Sequence, residues 1–240
     1  MIVDFHSHVG NDKDGTTYGL DQLLESMDHN KIDYSVVFPL DEKDVGLIEA
    51  SESILSQNNP KLIPFLRFNP KTENAQRLKA ILHGFKGVKL HPRAQDFDPL
   101  DKKFFPLYEE IERSGKPLLV HTRLRAGNPN TDPVRISSLA PLFPGLSIVM
   151  AHFAELSDEA FKAIKKYDNL YTETSIQSET NVKIAKFTKM VGSNKVLFGS
   201  DVPYSDQGIE LMKVMKAQMS DDERDDILYK NAERLLKMHL

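Results

Sequence analysis

Short apolar runs rich in β-branched residues recur along the whole chain, and each is followed by a polar loop and a segment with helical periodicity. The runs predict eight strands, which begin at Ile2, Tyr34, Leu62, Gly87, Pro117, Ser147, Leu170 and Val196. They follow one another about every 28 residues, the length that one strand, one helix and two short loops occupy. The pattern therefore predicts a repeated βα unit.

The segments between the strands place apolar residues three and four positions apart, as helices that cover a sheet must. The clearest examples are DQLLESM, AQRLKAILHG, FFPLYEEIERSG and EAFKAIKKY. Ser114 and Gly115 are expected to end one of these helices, and Ser220 is expected to cap a terminal amphipathic helix.

Strands that alternate with helices form a parallel sheet, and eight such units can close into a (β/α)8 TIM barrel of about 250 residues. The chain has 240 residues. An open doubly wound sheet is the alternative, but its Gly-rich turn after the first strand is replaced here by HSHVGN. No linker, low-complexity segment or charge block interrupts the pattern, so we expect one α/β domain over residues 1–240.

Composition narrows the class of protein. Apolar residues make up 40% and charged residues 28%, the net charge is -4, and there is no basic stripe, so nucleic acid is a poor candidate partner. No apolar stretch is long enough to span a membrane, and no signal peptide is apparent. The absence of cysteine excludes disulfides, thiolate metal sites and a cysteine nucleophile. We expect a cytoplasmic protein with a small-molecule substrate, and a homo-oligomer is compatible with these features.

The placement of the eight histidines is the most informative feature of the sequence. Three of them fall in helical segments or at helix ends, where a structural role is expected: His29, His83 and His239. The other five stand at the carboxyl ends of predicted strands: His6, His8, His91, His121 and His152. In a parallel barrel these ends form one rim, and active sites of this fold lie on that rim. Histidines that are distant in the sequence should therefore meet.

Strand geometry places His6 and His8 on the same side, because residues two apart point the same way, while Phe5 and Ser7 should point elsewhere. Buried neutral imidazoles need partners, and a divalent ion that accepts their lone pairs provides one. Further donors close the fifth, sixth and eighth strands: His121, His152 and Asp201. A single strand-end histidine is more often a hydrogen-bonded core residue, so it is the convergence that indicates a metal site. Nitrogen donors with one carboxylate suit zinc first, with manganese, iron or cobalt as alternatives.

The segments DFHSH, LLVHT, IVMAH, LFGSD and YKNAERLL resemble the amidohydrolase superfamily, specifically its amidohydrolase-related branch, over the whole chain. That branch includes hydrolases of lactones and related carbonyl compounds and non-oxidative decarboxylases similar to aminocarboxymuconate-semialdehyde decarboxylase. The resemblance implies a metal held by His6, His8, His121 and Asp201. It also implies that His152 is either a further ligand or an acid/base residue beside the metal-bound water.

Lys89 is ambiguous. Alternation in GVKLHP puts Lys89 and His91 on one face, and the segment resembles the fourth-strand region of dihydroorotases, where a carbamylated lysine bridges two metals. Carbamylation of Lys89 would imply two ions here, whereas the branch mostly uses one, which we favour. The lysine could instead pair with Asp201 or Glu173. His91 is then expected to face the substrate, with a structural hydrogen-bonding role as the alternative.

Three arginines directly follow the fourth and fifth strands: Arg93, Arg123 and Arg125. Guanidinium groups at the barrel mouth could hold a substrate carboxylate in a two-point clamp. They could equally pair with nearby acidic residues, namely Asp96, Asp98 and Asp132. Two strand-end residues are weaker candidates of the same kind: Glu173 and Tyr204. The predicted substrate-binding residues are Lys89, His91, Arg93 and Arg123.

These features predict a metal-dependent hydrolase of an ester, lactone or amide carbonyl in a small anionic molecule. Asp201 would accept a proton from the attacking water and return it to the leaving group, and His152 would orient that water or stabilise the oxyanion. A non-oxidative decarboxylase would use the same metal site, with His152 delivering a proton to carbon. A retired barrel that only binds a metabolite is a further alternative, although such a chain should have lost a ligand and all five main positions are present.

Overall fold

The computed structural model describes residues 1–42, 44–124 and 126–238. Arg125 and His239, both considered above, lie outside the described residues. Within these ranges the strands are β1 (Val3–Asn11), β2 (Thr17–Tyr18), β3 (Tyr34–Pro39), β4 (Leu62–Arg67), β5 (Gly87–Leu90), β6 (Leu118–Val120), β7 (Ile148–Met150), β8 (Leu170–Glu173) and β9 (Val196–Leu197). Each of the eight predicted runs contains one strand. The additional β2 has two residues, too few to leave a pattern in the sequence.

Helices follow the strands as the periodicity predicts. They are α1 (Leu20–Asn30), α2 (Leu47–Ser56), α3 (Ala75–Ile81), α4 (Phe105–Ser114), α5 (Pro133–Ser137), α6 (Asp158–Lys166), α7 (Asn181–Val191), α8 (Gln207–Lys216), α9 (Asp221–Asp225) and α10 (Asn231–Leu236). Both predicted helix boundaries are confirmed, because Gly115 ends α4 with φ 66° and the Ser220 hydroxyl accepts a hydrogen bond from Glu223 N. None of the helices in the described part of the chain has the length and apolar character that crossing a membrane demands.

The strands form one curled, mostly parallel sheet in the order β2-β1-β3-β4-β5-β6-β7-β8-β9, with only β2 antiparallel to its neighbour. Backbone hydrogen bonds also join the first strand to the segment around the last one. Phe5 N donates to Phe198 O, and Asp201 N donates to His6 O, both at 2.8 Å. The predicted α/β fold of the TIM type is therefore confirmed, and the carboxyl ends of the parallel strands are brought to one edge.

The inner face of the sheet holds an apolar cluster, and one of its members, Phe5, was predicted to point elsewhere. The cluster combines strand residues such as Val36 and Phe65 with residues of α10. Phe5 belongs to this cluster and makes an edge contact with the Phe65 ring, with centroids 5.6 Å apart. The expectation that Phe5 points away from the inner face was wrong, because the register of β1 against β3 shifts between Asp4 and Ser7. A bulge of this kind breaks the period-two alternation.

The end of α1 offers a test of local backbone strain. Lys31 follows the helix in the left-handed region (φ 56°, ψ 40°), is exposed, and carries a β-carbon that disfavours this conformation. Lys31→Gly is therefore expected to raise the free energy of unfolding by about 1 kcal/mol in urea denaturation. Lys31→Ala keeps the β-carbon and should give no comparable gain. Equal stabilisation by both variants would show that loss of the lysine charge, and not relief of strain, is responsible.

Candidate active site

A cavity of about 400 Å³ lies at the carboxyl ends of the strands. Seven of the nine predicted site residues line it: His8, His91, Arg93, His121, Arg123, His152 and Asp201. The other two are almost completely buried, with exposed fractions of 0% for His6 and 1% for Lys89. The fold thus brings side chains from five different strand ends together at one place, as the barrel rim predicts.

Three predicted metal ligands converge on one point. His6 Nε2 is 3.2 Å from His8 Nε2 and 3.2 Å from Asp201 Oδ1, and His8 Nε2 is 3.1 Å from the same oxygen. The donor atoms of these residues lie close enough together to hold one ion. Ligand atoms at 2.0–2.1 Å from a tetrahedral metal lie about 3.3 Å from one another. The spacing of the three atoms is therefore close to that of a metal-ligand set.

Glu173, a weaker candidate in the sequence, fixes the orientation of His6. Its fully buried carboxylate accepts a hydrogen bond from His6 Nδ1 at 2.9 Å, which leaves the lone pair of His6 on Nε2, facing His8 and Asp201. The same carboxylate accepts bonds from His152 N (2.9 Å) and from Ser175 N and Oγ (2.6 and 2.7 Å). Although His6, His152 and Glu173 form a second group of close donor atoms, these bonds already satisfy Glu173. It supports a ligand better than it could serve as one.

His121 and His152 form a pair beside the three converging ligands. His152 Nδ1 donates to the backbone oxygen of Ser175 at 2.7 Å, so in the neutral ring Nε2 is an acceptor. It faces His121 Nδ1 at 3.1 Å, which must then donate and leave a lone pair on His121 Nε2. That atom and His8 Nδ1 are buried and have no hydrogen-bond partner among the described residues. His121 Nε2 therefore has a lone pair that no described residue uses. His121 does not belong to the group of close donor atoms that His6, His8 and Asp201 form.

Two further predicted residues occupy the space around these imidazoles. Lys89 Nζ is 3.1 Å from His6 Nε2 and 4.7 Å from the centroid of the Phe38 ring. Its contact is thus with a predicted metal ligand, while neither Asp201 nor Glu173 forms an ion pair with it in the described chain. The His91 ring stacks on His121 with centroids 3.8 Å apart and accepts a hydrogen bond from Ala94 N through Nδ1.

Burial governs the protonation of the site. It lowers the pKa of the imidazoles well below their ordinary value in four cases, namely His6, His8, His91 and His121. It lowers the pKa of His152 to about 4 and that of Lys89 to about 7, and it raises the pKa of the Asp201 carboxyl. Neutral imidazoles at neutral pH have the lone pairs that a metal ion requires.

The backbone around two of these side chains is strained. His152 to Leu156 all have positive φ, between 48° and 58°, and Asp201 has φ 61°. Each such residue costs about 1–2 kcal/mol relative to right-handed backbone, and strain of this kind clusters at functional sites. The segment AHFAEL contains no glycine or asparagine, so the sequence does not predict the left-handed backbone there. Gly199 is required for a different reason, the close approach of a neighbouring side chain. A β-carbon at this position would lie 2.3 Å from Glu173 Oε2.

The family of the chain follows from a match over most of its length. A family model described as amidohydrolase matches residues 54–238. The chain belongs to the amidohydrolase family. Members of this family are enzymes, among them hydrolases and decarboxylases, and they generally bind a divalent metal. The converging donors of this amidohydrolase, His6, His8 and Asp201, fit that property.

Solved structures share the whole fold of this amidohydrolase. An uncharacterized TIM-barrel protein from Bordetella bronchiseptica is 20% identical, with 98% of each chain covered and a TM-score of 0.81. A candidate 2-pyrone-4,6-dicarboxylic acid hydrolase from Pseudomonas putida is 18% identical, covering 100% of this chain and 98% of that one, with a TM-score of 0.76. A dihydroxybenzoic acid decarboxylase from Polaromonas sp. JS666, with bound manganese and 2-nitroresorcinol, is 14% identical, covering 100% and 97%, with a TM-score of 0.76. No curated protein matches the sequence.

At the mouth of the cavity, the predicted residues lie beside others that the sequence did not indicate. Two of the acidic residues suggested as partners of Arg93, Arg123 and Arg125 pair with other basic residues, because Asp96 pairs with Lys71 and Asp98 with Arg135. Asp132 caps α5 through Val134 N at 2.8 Å. Three cavity residues bear on the chemistry but were missed or ranked low: Arg67, Asp12 and Tyr204. The Tyr204 hydroxyl donates to the Asp12 carboxylate across the opening.

Proposed function

We propose that this amidohydrolase is a metal-dependent hydrolase of an ester, lactone or amide carbonyl in a small anionic molecule. The observation that carries the proposal is the convergence of His6 Nε2, His8 Nε2 and Asp201 Oδ1 within 3.1–3.2 Å of one another. Asp201 and His8 border a cavity whose lining includes three arginines. The hydrogen bonds between β1 and the segment around β9 support a closed eight-stranded barrel, with this cavity at its mouth.

The side chains fit a single divalent ion, with zinc as the first choice and manganese as an alternative. His6, His8 and Asp201 would hold it, since two nitrogens and one carboxylate oxygen suit both metals. The Glu173 hydrogen bond to His6 is the outer support that metal-binding histidines usually have. A bound ion of this kind supplies Lewis acidity toward a carbonyl oxygen and toward water.

Side chains of the protein transfer the proton and position the reacting groups. Asp201 is the acidic side chain among the converging atoms, so we assign to it the acceptance of a proton from the attacking water and its return to the leaving group. His152 donates to Ser175 O and faces His121 through its acceptor nitrogen. His152 therefore keeps His121 in the tautomer with a proton on Nδ1 and a lone pair on Nε2. The role of His152 is to orient His121. Arg93 and Arg123, at the mouth, would attract the anionic substrate toward the cavity.

Non-oxidative decarboxylation is a second candidate, favoured by the decarboxylase fold neighbour and by the arginines, which suit a carboxylate substrate. The same three side chains would hold the metal. Assays of aryl carboxylates with detection of released carbon dioxide, run beside a panel of lactones, esters and amides, distinguish the two reactions.

Elemental analysis tests the metal proposal directly. The purified protein is expected to contain about one equivalent of zinc or manganese, because a ligand set of this kind binds such ions tightly. His8→Ala removes one of the three converging donors and should lose most of that metal. His83→Ala, at an exposed helix end, should retain it. Full activity in protein freed of metal would contradict the proposal.

A further inference from the structure

We propose that Arg67 binds a carboxylate of the substrate inside the cavity and thereby restricts this amidohydrolase to carboxylate-bearing molecules. The inference rests on the proposed function, in which the substrate is anionic, and it names the residue that recognises the anion. It shifts recognition from the loop arginines at the mouth to an arginine on a strand of the sheet.

The position of Arg67 follows from the alternation along β4. Ile63 and Phe65 both lie in the inner apolar cluster, so Arg67, two residues further on, also faces inward. It is the last residue of the strand and pairs in register with Lys89. Its exposed fraction is only 3%, yet it lines the cavity together with His8 and the other site residues. The guanidinium is thus carried by a strand of the sheet and is buried where it borders the cavity.

The carboxylates of Asp41 and Asp12 line the same cavity and act on the Arg67 guanidinium only at longer range, so no direct anionic partner in the described chain contacts it. Nη1 donates to the Pro39 carbonyl oxygen at 2.8 Å, whereas Nε is buried and has no hydrogen-bond partner. Within residues 1–42, 44–124 and 126–238, no carboxylate forms an ion pair with it. Burying a cation without an anion is costly, and buried charges in proteins are normally paired. A bound anion would provide the missing pairing.

The open edge of Arg67 has the shape that recognises a carboxylate. Arg135 shows the geometry within the same chain, because its Nε and Nη2 bind the two oxygens of Asp98 side by side. In Arg67 that same edge carries the unpartnered Nε, while the Pro39 oxygen occupies Nη1 on the other side. A planar anion with two oxygens matches this edge in a two-point contact. By contrast, Arg123 is exposed to solvent, where ion pairs contribute little.

Binding of simple dicarboxylates tests the inference without turnover. Thermal unfolding would be followed with millimolar malonate, glutarate and isophthalate, each compared with the matched neutral diol. At least one dicarboxylate is expected to raise the Tm of the native protein while its diol does not, since ligands that bind only the folded state stabilise it. Arg67→Met should abolish the shift, Arg67→Lys should retain a smaller one, and Arg135→Met should leave it unchanged.

Stability without ligand separates recognition from a structural role. Methionine is apolar and of similar length, so Arg67→Met is expected to unfold at a temperature equal to or above that of the native protein. A purely structural arginine would instead lose stability on this replacement. The inference is overturned if no dicarboxylate shifts the Tm of the native protein, or if Arg67→Met responds to it as fully as the native protein does.

The two proposals fail in different ways. If the protein contains no metal but binds dicarboxylates through Arg67, the proposed hydrolytic function fails and the anion site remains. If the protein holds its metal and turns over an ester while Arg67→Met keeps the full dicarboxylate shift, the function stands and the anion site is refuted.

Discussion

Asp201→Asn is expected to lower turnover by about 10²–10⁴-fold while changing the free energy of unfolding very little. The amide cannot take up the proton that the reaction transfers, and it is a weaker partner for a cation between His6 and His8. The fold should tolerate the change because Asp201 has φ 61°, a conformation that asparagine adopts readily, and its backbone N–H to His6 O is retained. Turnover on the substrate identified in the panel and urea denaturation are the two measurements.

Asp101→Asn provides the matched control, since Asp101 is partly exposed and caps a short turn through Lys103 N at 3.1 Å. Asparagine caps as well as aspartate, so activity and stability should both be preserved. Turnover in Asp201→Asn equal to that of the native protein would mean that another group carries the proton. The assignment of Asp201 would then be withdrawn even if the metal is present.

The arrangement of strands and the rim of histidines could be predicted because both depend on local periodicity and on one property of parallel sheets. Apolar runs mark the strands, and the carboxyl ends of parallel strands meet at one edge, so His8, His121 and His152 share a rim whatever the details of packing. No contact between distant residues has to be known for this step. The coarse location of the site was therefore accessible from the sequence.

Features that depend on irregular backbone were not accessible. The bulge between Asp4 and Ser7 places Phe5 on the inner face, and the left-handed stretch that begins at His152 reorients the loop after β7. Neither has a residue pattern of its own, because Gly and Asn, the usual markers of such backbone, are absent from both segments. Tertiary packing overrides the local preference in both places.

The roles of Arg67 and Glu173 were hidden for another reason. Each is a charged residue that ends a strand; Glu173 was predicted only as a weaker candidate at the barrel mouth, and no pattern pointed to Arg67. Only the three-dimensional structure shows that Arg67 is 3% exposed and Glu173 0% exposed. The partner of Glu173, His6, is 167 residues away in the chain, so no local pattern links them.

Glu173→Gln is expected to lower the free energy of unfolding by about 3 kcal/mol, the largest effect on stability anticipated for a substitution of one atom. Both oxygens of the carboxylate accept hydrogen bonds from N–H groups: Oε1 from His6 and His152, and Oε2 from Ser175. Whichever way the glutamine amide turns, its NH2 group faces one of these donors at full burial. Urea denaturation measures the loss.

Glu179→Gln is the control, because Glu179 is partly exposed and its only ion pair in the described chain, with Lys183, is long at 3.9 Å. It should change stability by less than about 0.5 kcal/mol. Metal content supplies a second and independent readout for Glu173→Gln. Loss of an outer hydrogen bond to a ligating histidine typically weakens metal binding about 10–100-fold, so the variant should lose its ion to a competing chelator more easily than the native protein. Reduced stability with unchanged metal affinity would show that Glu173 holds the strands together and that His6 does not need it to bind the metal.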